Sequence, residues 1–431
     1  MKSSEYKSNN LIEHIKDLMP FERSIAGPGL RQSIKYFQDF HKEIKLLEIP
    51  SGKKIFDWTI PDEWSVKEAY IEHESGLRFA EYSKSNLHLV NYSCSVDKEL
   101  SKKELIEKIY TIKEEPKAIP YRTTYYKRDW GFCLCYEDYL SLPSGKYKVV
   151  IRSTHQRGSM TIGECLLKGK SSKELMLSSY LCHPSMANNE LSGPVVLGEI
   201  ISRVKQLTQR HYSYRFALGS ETIGAISYIY RRLNKLKNNV IAGLVLSCVG
   251  DDDQFSHIET PSGDSLIDKA MKAAFIGKKN PKTYTFLDRG SDERQYASPL
   301  VDLPIAGFCR SKYGEYSQYH TSLDNLDLVS NKGLQGSVDL IWSIIQAFEI
   351  GHIPKAIIIG EPQLGKRGLY TDTDHKGKLS DEVNTRLNIL AYSNGQRDIF
   401  DICIICDIPL AKAVKECRLL NDKGLLHLKH I

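Results

Sequence analysis

The chain has 431 residues, 41% of them hydrophobic and 26% charged, and its formal net charge at pH 7 is +6. This length is enough for two or three domains, and so small a net charge argues against attraction of the whole chain to nucleic acid. The first 27 residues contain no apolar segment typical of a signal peptide, and no window reaches the roughly 18 apolar residues of a membrane span. Ten cysteines are scattered without a disulfide framework, several of them inside apolar runs, so we expect a cytoplasmic protein that does not contact membranes.

The first 140 residues predict two helices followed by a β-rich segment. Apolar residues recur at helical spacing over 8–20 and 28–42, with a turn around Gly27 to Gly29 between them. From 45 to about 140, apolar and polar residues alternate in short segments separated by Gly, Pro and Asn, which is typical of an antiparallel module. One short helix, KKELIEKIYTI, interrupts it. The segments that predict strands are KKIFDWTI, EAYIEH, LRFAEYS and LHLVNYS.

From about 145 the chain alternates between strands and helices. The predicted strands are KYKVVIRST, ELMLSSYLC, YRFALG, NVIAGLVLSCVG and LPIAGFC. The predicted helices are SGPVVLGEIISRVKQL, ETIGAISYIYRRLNKL, GDSLIDKAMKAAF and the segment 331–350. This alternation predicts an α/β domain with a mostly parallel mixed sheet and helices on both faces. Ligands of such sheets bind beyond the carboxyl ends of the strands.

The segment from about 365 to 431 predicts three short helices and a strand, the outline of a winged helix-turn-helix. We therefore expect three domains: a discontinuous α/β domain (1–44 and 141–355), an inserted β-rich module (45–140) and a C-terminal winged helix (356–431).

The predicted recognition helix of the winged helix carries mixed charge. Lys412, Lys415 and Arg418 are accompanied by Glu416 and Asp422. A DNA-reading helix ordinarily has a more basic face. We therefore favour protein docking over DNA binding for this domain.

Polar side chains follow the predicted strands of the α/β domain. His183 comes after ELMLSSYLC, Glu221 after YRFALG, and His320 a short loop after LPIAGFC, while the segment Asp292 to Arg294 precedes LPIAGFC. Because the carboxyl ends of parallel strands share one edge of a sheet, we expect these residues to converge. Zinc prefers His nitrogen and carboxylate oxygen, and a carboxylate that is not a ligand can act as a base. The pattern therefore predicts a catalytic metal site.

Each of these residues also has a structural interpretation. His183 can be a hydrogen-bonded histidine in a loop, Glu221 a first-turn carboxylate favoured by the helix dipole, and the segment Asp292 to Arg294 an exposed charge cluster. The segment YRTTYYKRDWGFC mixes aromatic side chains with Arg122 and other cations. Such a mixture can stack on a nucleic acid or a sugar phosphate. We favour packing on the main domain at the edge of the site.

These motifs resemble, in their order, the zinc aminopeptidase superfamily that includes the glutaminyl cyclases. That family has a metal-binding His after one strand, an Asp-Asn-x-Ser-Gly loop, a Glu-Glu-x-Gly pair, an Asp after a further strand, a Ser-Asp-His segment and a final Tyr-His-Thr. The corresponding segments here are CHPSMANNELSG, SETIGAISY, LVLSCVGDD, GSDERQY and QYHTSLDN.

Over nearly its whole length the chain is also similar to a bacterial aminopeptidase-like family that joins this fold to an inserted β module and a C-terminal winged helix. The segments IPYRTTYYKRDWGFC, CHPSMANNELSG and ETIGAI carry that similarity. Some members of the family are linked to cell-surface polysaccharide pathways.

The chain departs from the superfamily pattern at most of the metal ligands that the resemblance implies. The metal-bridging Asp falls on Asn189, the second Glu of the pair on Thr222, the later Asp on Ser247, and the His of Ser-Asp-His on Glu293. Two zinc ions carry four positive charges, which neutral Asn, Thr and Ser side chains would not compensate. We therefore reject an ordinary two-zinc site.

The resemblance leaves room for one metal ion, zinc by its ligands, or for none. We expect His183 and His320 to bind it, with Glu221 or Glu293 as a third ligand. Asn189 is either a weak ligand or a residue that shapes its loop.

The other site residues follow from the same resemblance. Glu221 matches the general base, and if Glu221 is a ligand instead, Asp292 takes that role. We expect Arg294 and Tyr319 to contact the substrate.

Two functions remain open on the sequence. The first is a metal-dependent hydrolase or acyl-transfer enzyme that acts on an amide bond of a small-molecule or peptide-like substrate. The second is a non-catalytic binding or scaffold protein that uses the old cleft for a ligand and the winged helix for a partner. A regulator in which the hydrolase domain senses a small molecule is a third, lesser alternative.

Overall fold

The structure is a computed structural model that describes residues 6–370 and 379–431. These residues form eighteen strands and twelve α-helices. The strands are β1 (Lys45–Pro50), β2 (Lys54–Ile55), β3 (Trp58–Thr59), β4 (Glu63–His73), β5 (Arg78–Phe79), β6 (Val96–Ser101), β7 (Ile109–Tyr110), β8 (Phe132–Cys133), β9 (Lys146–Gln156), β10 (Ser159–Leu167), β11 (Glu174–Tyr180), β12 (Ser213–Gly219), β13 (Val240–Leu246), β14 (Ser256–Ile258), β15 (Lys282–Tyr284), β16 (Ile305–Cys309), β17 (Ile353–Ala356) and β18 (Leu426–Lys429).

The helices lie between these strands and in the C-terminal domain. They are α1 (Ile12–Leu18), α2 (Pro28–Phe40), α3 (Lys102–Ile106), α4 (Tyr136–Ser141), α5 (Ser192–Gln206), α6 (Ile223–Asn239), α7 (Leu266–Phe275), α8 (Glu293–Tyr296), α9 (Asn331–Glu349), α10 (Asp381–Tyr392), α11 (Ile399–Cys406) and α12 (Leu410–Asp422). A π-helical turn, Ala187–Leu191, precedes α5.

An eight-stranded mixed sheet forms the centre of the α/β domain, in the order β1-β10-β12-β11-β13-β16-β14-β15. The inner strands β12, β11, β13 and β16 are parallel, whereas β1 and β10 add an antiparallel edge. Every residue of β11, β12 and β16 is buried, which requires helices or loops over both faces. The predicted α/β class with a mostly parallel mixed sheet is confirmed.

The inserted module is built on a four-stranded antiparallel sheet in the order β5-β4-β9-β6. Sheet membership differs from the expected domain boundaries at two strands. β1 lies in the large sheet although it follows residue 44, and β9 lies in the small sheet although it follows residue 141. β9 and β10 are separated by only two residues, so the chain passes directly from one sheet to the other.

Two local expectations differ from the structure. The segment LHLVNYS was predicted as a strand, but Asn86–His88 forms a 3-10 turn there. The antiparallel strand β10 was not predicted. It follows β9 after a tight turn, so the alternating pattern of the two strands looks like one continuous segment.

The C-terminal domain is a winged helix of three helices, α10, α11 and α12, with β17 and β18 paired antiparallel. It is not a separate body, because its apolar residues belong to the same continuous core as the α/β domain. Phe400 of α11 packs on Phe348 of α9 with ring centroids 5.2 Å apart. Lys269 of α7 reaches Asp401 of α11 at 3.0 Å. α12 also contacts α9 and α7, so the helix-turn-helix pair is docked on the α/β domain.

None of the described helices combines the length and the apolar character that a membrane span needs.

We expect Phe400→Ala to lower the urea midpoint of the whole protein, because Phe400 is fully buried between the two domains. Removing a buried Phe costs about 3–5 kcal/mol. The control is Ile404→Ala on the same helix, whose side chain is 42% exposed. Circular dichroism and tryptophan fluorescence should report one shared transition. A winged helix that melts in a separate, earlier step would contradict the continuous core.

Candidate active site

The candidate active site lies beyond the carboxyl ends of β11, β12 and β13. After β11 the chain turns through His183 and the π-helical turn Ala187–Leu191 into α5. Gly193 at the start of α5 is required here, because a Cβ at this position would overlap Ser179 Oγ and the carbonyl oxygen of Leu246. The helix therefore begins directly against β11 and β13 and holds the loop over the end of the sheet.

Glu190 holds His183 in two ways. Its Oε1 accepts the backbone N–H of His183 at 2.7 Å, and its Oε2 lies 2.6 Å from His183 Nδ1. This close approach brings the Glu190 carboxylate against Nδ1, although its geometry is not that of a hydrogen bond and Oε2 has no such partner among the described residues. Burial lowers the pKa of His183, but the charge of Glu190, its contact with the ring and the charge of Glu221 together outweigh burial and leave this pKa above its usual value. His183 Nε2 faces Glu221, whose Oε2 lies 3.8 Å away.

Glu221 and Thr222 form the strained turn between β12 and α6. Thr222 has a φ of 61°, and its N–H donates to Asp292 Oδ1 at 2.6 Å. The N–H of Glu221 points to Cys182 Sγ at 3.3 Å. The Glu221 side chain is 23% exposed at the base of a narrow cleft. Burial raises its pKa to about 7, although the neighbouring His183 acts in the opposite direction.

Asp292 and Glu293 lie behind this turn and are buried. Burial, together with the nearby Glu221, raises the pKa of Asp292 well above its usual value. Glu293 Oε1 accepts three hydrogen bonds, from the N–H groups of Gly290 and Ser291 and from the hydroxyl of Tyr313. Glu293 Oε2 is buried without a hydrogen-bond partner among the described residues. The structure thus gives Glu293 a role in shaping its loop, and its predicted role as a ligand stays a prediction.

His320 lies on the loop before α9, opposite His183. Its φ is 56°, and its ring stacks on Tyr319 at a centroid distance of 3.9 Å. The His183 and His320 ring centroids are 5.2 Å apart. No hydrogen bond reaches the ring nitrogens of His320 within 6–370 and 379–431, and burial lowers its pKa strongly. Both rings also contact the ring of Tyr121, at 4.7 Å from His183 and 5.2 Å from His320.

Three of the four positions that depart from the superfamily pattern, all except Glu293, hold uncharged side chains that take part in hydrogen bonds. Asn189 is buried, its Nδ2 contacts Cys248 Sγ at 3.7 Å, and its Oδ1 has no partner among the described residues. Ser247 Oγ pairs with the hydroxyl of Tyr180 at 2.6 Å. Thr222 Oγ1 accepts an N–H of Arg294 at 2.8 Å. These groups leave no charge to balance a second metal ion.

The site opens into a cleft of about 360 Å³. One wall comes from the inserted module, from a segment over residues 119–126 that we call the strap. The cleft is lined by strap residues and by residues of the sheet end: Tyr121, Arg122, Thr123, Tyr125, Tyr126, Cys182, His183, Glu221, Thr222 and His320. The inserted module therefore contributes directly to the site.

The residues present fit one metal ion better than two. His183 has its Nδ1 held by a carboxylate, the arrangement that commonly orients a histidine ligand and leaves Nε2 for the metal. The ring nitrogens of His320 and Asn189 Oδ1 are donor atoms without hydrogen bonds among the described residues. In that part of the chain, Cys182, His183 and Glu190 form the one group of potential ligands whose ligand atoms all lie within 4.8 Å of one another, and this group includes neither His320 nor Asn189.

Comparison with known proteins identifies the family of this chain. Residues 12–351 match the protein family described as "Domain of unknown function (DUF4910)", and residues 352–428 match a winged helix-turn-helix family. The chain belongs to this DUF4910 family. It is 36% identical over 408 residues to a Clostridium acetobutylicum protein named "Putative polysaccharide biosynthesis protein with aminopeptidase-like domain", covering 93% of this chain and 92% of the relative.

Two solved structures place the family in a fold group. A crystal structure of a Clostridium acetobutylicum protein described as a "putative peptidase" matches with a TM-score of 0.89 at 34% identity, covering 99% of this chain and 98% of that one. A zinc aminopeptidase from Bacillus subtilis matches with a TM-score of 0.56 at 16% identity, covering 80% of this chain and 95% of that one. The DUF4910 chain thus has a zinc aminopeptidase-like fold, which confirms the resemblance found in the sequence.

Sequence reasoning missed three groups that shape the site. Glu190 lies in the SMANNELSG loop, and it contacts His183 because the chain forms a π-helical turn there, which the sequence did not predict. Tyr121 reaches the histidines from the inserted module, about 60 residues before His183. Asp324 accepts the N–H groups of Asn188 and Asn189 at 2.6 and 2.9 Å. The acidic residue after the His-Thr pair in QYHTSLDN was the available signal for Asp324.

We expect Glu221→Gln to stabilise the chelator-treated protein at pH 8 and to have little effect near pH 4.5. The folded-state pKa of Glu221 is raised from 4.5 to about 7, so stability is lost as pH rises through this interval and the charged form is the costly one. Melting temperatures between pH 4.5 and 8.5 measure the difference. The exposed Glu137→Gln controls for the loss of one charge. A Glu221 effect that does not change with pH would contradict the raised pKa.

Proposed function

We propose that this protein is an amide hydrolase or acyl-transfer enzyme that works with one divalent metal ion at the strap-lined cleft. The observation that carries the proposal is the Glu190–His183 pair, which leaves His183 Nε2 facing the carboxylate of Glu221. A histidine that contacts one carboxylate through Nδ1 and faces a second carboxylate through Nε2 suits metal-assisted hydrolysis, in which one group holds the metal and the other accepts a proton.

The metal, zinc by its donor set, would be held by His183 and His320, with Asn189 as an uncharged neighbour. When bound, it would polarise the substrate carbonyl and lower the pKa of a bound water. The other site residues act directly on protons and positions. The Glu221 carboxylate, 3.8 Å from His183 Nε2, can take a proton from the attacking nucleophile and return it to the leaving nitrogen.

Asp292 would act as a positioning residue for Glu221. Its Oδ1 accepts the N–H of Thr222 and so fixes the turn that presents the Glu221 carboxylate. Because this atom is engaged and the side chain is buried, we prefer Glu221 to Asp292 as the base. Tyr319, stacked on His320, would orient that ring and border the substrate.

The substrate that we propose is an amide on a modified sugar. The Clostridium acetobutylicum relative carries polysaccharide biosynthesis in its name, and an aminopeptidase-like fold supports chemistry on amides. The free cysteines, ten in all, fit a reducing compartment such as the cytoplasm.

A binding or scaffold protein is the second candidate. It is favoured by the three hydrogen bonds that occupy Glu293 Oε1 and by the neutral Thr222 and Ser247 at former ligand positions.

For the winged helix we propose protein docking. Its helix-turn-helix pair packs on α7 and α9, and the mixed charge of α12 does not suit DNA.

Metal analysis is the first test of this proposal. Protein purified without chelator or metal-affinity resin should contain about one zinc per chain, as expected for a site with a single open catalytic ion. His183→Ala and His320→Ala should each lose most of it, whereas His427→Ala, on an exposed position of β18, should keep it. A parent protein that holds no metal after incubation with zinc would favour the binding-protein alternative.

Activity gives a separate test with Glu221→Gln. On a panel of N-acyl amino sugars and aminoacyl amides, this variant should lose about 100-fold or more in kcat, because a positioned general base contributes that much. It should keep its metal if Glu221 is the base, and lose metal if Glu221 is a ligand. Turnover that is unchanged in Glu221→Gln would remove Glu221 from the mechanism.

A further inference from the structure

The strap is fixed to the loop that carries His320. The N–H of Tyr121 donates to the carbonyl of His320 at 2.8 Å, and the N–H of Ser322 donates to the carbonyl of Ile119 at 2.9 Å. The N–H of Ile119 also donates to Ser322 Oγ at 3.0 Å. Because three hydrogen bonds join two segments about 200 residues apart in the chain, the strap is a permanent wall of the cleft.

The strap presents aromatic faces and one cation to the cleft. Tyr125 shares a hydroxyl contact of 2.6 Å with Tyr121, and Tyr126 is 66% exposed beside Trp58. Arg122 is exposed and lines the cleft next to His320. No carboxylate lies within ion-pair distance of the Arg122 guanidinium in the described part of the chain, and its ring neighbour is Tyr110 at 5.7 Å.

Neighbouring cations of the inserted module differ from Arg122 in this respect. Lys127 pairs with Asp129 at 3.2 Å, and Arg128 pairs with Asp62 at 3.1 Å. The charge of Arg122 is therefore not part of the ion pairs that hold the module together. The Arg122 guanidinium lies where it can bind a charged group of a ligand that enters the cleft.

A second cation, Arg294, does not line the cleft itself but contacts Thr222, which does. Arg294 is exposed and donates to Thr222 Oγ1, and no carboxylate within 6–370 and 379–431 lies at ion-pair distance from it. The acidic neighbours of Arg294 are engaged elsewhere, since Asp292 accepts the N–H of Thr222 and Glu293 accepts three donors. Two guanidinium groups thus flank the cleft, one near each of His320 and Glu221, without a carboxylate partner.

We propose that Arg122 and Arg294 bind an anionic group, a phosphate or a carboxylate, that the substrate carries beside its amide. A guanidinium offers a planar pair of donors that matches both oxyanions, and such charge-assisted contacts are about twice as strong as neutral ones. Tyr125 and Tyr126 supply flat apolar faces for the ring that carries the anion. The inference rests on the proposed function, because it assigns the substrate class of the same cleft.

The test uses three probes that share one acetamido sugar: N-acetylglucosamine, N-acetylglucosamine 1-phosphate and N-acetylmuramic acid. The first is neutral, the second carries a phosphate and the third a carboxylate. Isothermal titration calorimetry of the full chain should show at least one anionic probe binding about tenfold or more tightly than the neutral one. The anionic probe that binds more tightly identifies the source of the charge. This preference should weaken as salt is added.

Variants show whether the two arginines cause the preference. Arg122→Met and Arg294→Met should each reduce it about tenfold, whereas Lys127→Met, which removes a paired cation from the same segment, should leave it unchanged. The titrations are repeated with a chelator, because a bound metal would itself attract an oxyanion. Equal affinity for all three probes, no binding of either anion, an equal loss in Lys127→Met, or a preference that vanishes with the chelator would each overturn the proposal.

Binding and turnover fail independently in this design. Anion binding that depends on the arginines, with no amide cleaved, would refute the proposed enzyme and keep the anion site. Amide cleavage without any preference for anionic sugars would refute the anion site and keep the enzyme.

Discussion

The site depends on Asp324, which ties the two histidine-bearing loops together. Its Oδ1 and Oδ2 accept the N–H groups of Asn188 and Asn189 in the loop after His183, and Oδ2 also accepts the hydroxyl of Tyr316. Asp324 itself lies four residues after His320. Burial raises the pKa of its carboxyl to about 6, although the N–H donors act in the opposite direction. A buried carboxylate on the His320 loop therefore fixes the position of the loop that follows His183.

Hydrogen bonds explain how the site keeps its shape although several residues of the superfamily's metal-ligand pattern are replaced. Each replaced position contributes to the local hydrogen-bond network: Thr222 binds Arg294, Ser247 binds Tyr180, and Asn189 contacts Cys248. A buried polar group without a partner is costly, so these contacts keep the loops in place without a second ion. In the resulting site Glu190 contacts His183, and burial raises the pKa values of Glu221 and Asp292.

The sequence was informative wherever a strand end fixed a residue's place. His183 and Glu221 follow consecutive parallel strands, and the structure brings their side chains to 3.8 Å. Hydrophobic periodicity also predicted the winged helix and, except for β10, the succession of the main strands along the chain. The partners of these residues were not, because Glu190 and Asp324 act through loop conformations that leave no periodic signal. The sheet to which β1 and β9 belong was not predictable for a related reason: both have the pattern of ordinary strands, and only pairing decides which sheet a strand joins.

The inserted module and the winged helix are both fixed to the aminopeptidase-like domain by direct contacts. The strap is hydrogen-bonded to the His320 loop, and the winged helix shares the core that covers α7 and α9. A wall held by backbone hydrogen bonds selects ligands by its fixed shape and charge, since no closure is needed to assemble it. A docked winged helix likewise offers partners only the surface that faces away from the α/β domain, such as the exposed side of α11 around Ile404 and Ile405. The α/β domain, the inserted module and the winged helix thus form one continuous body.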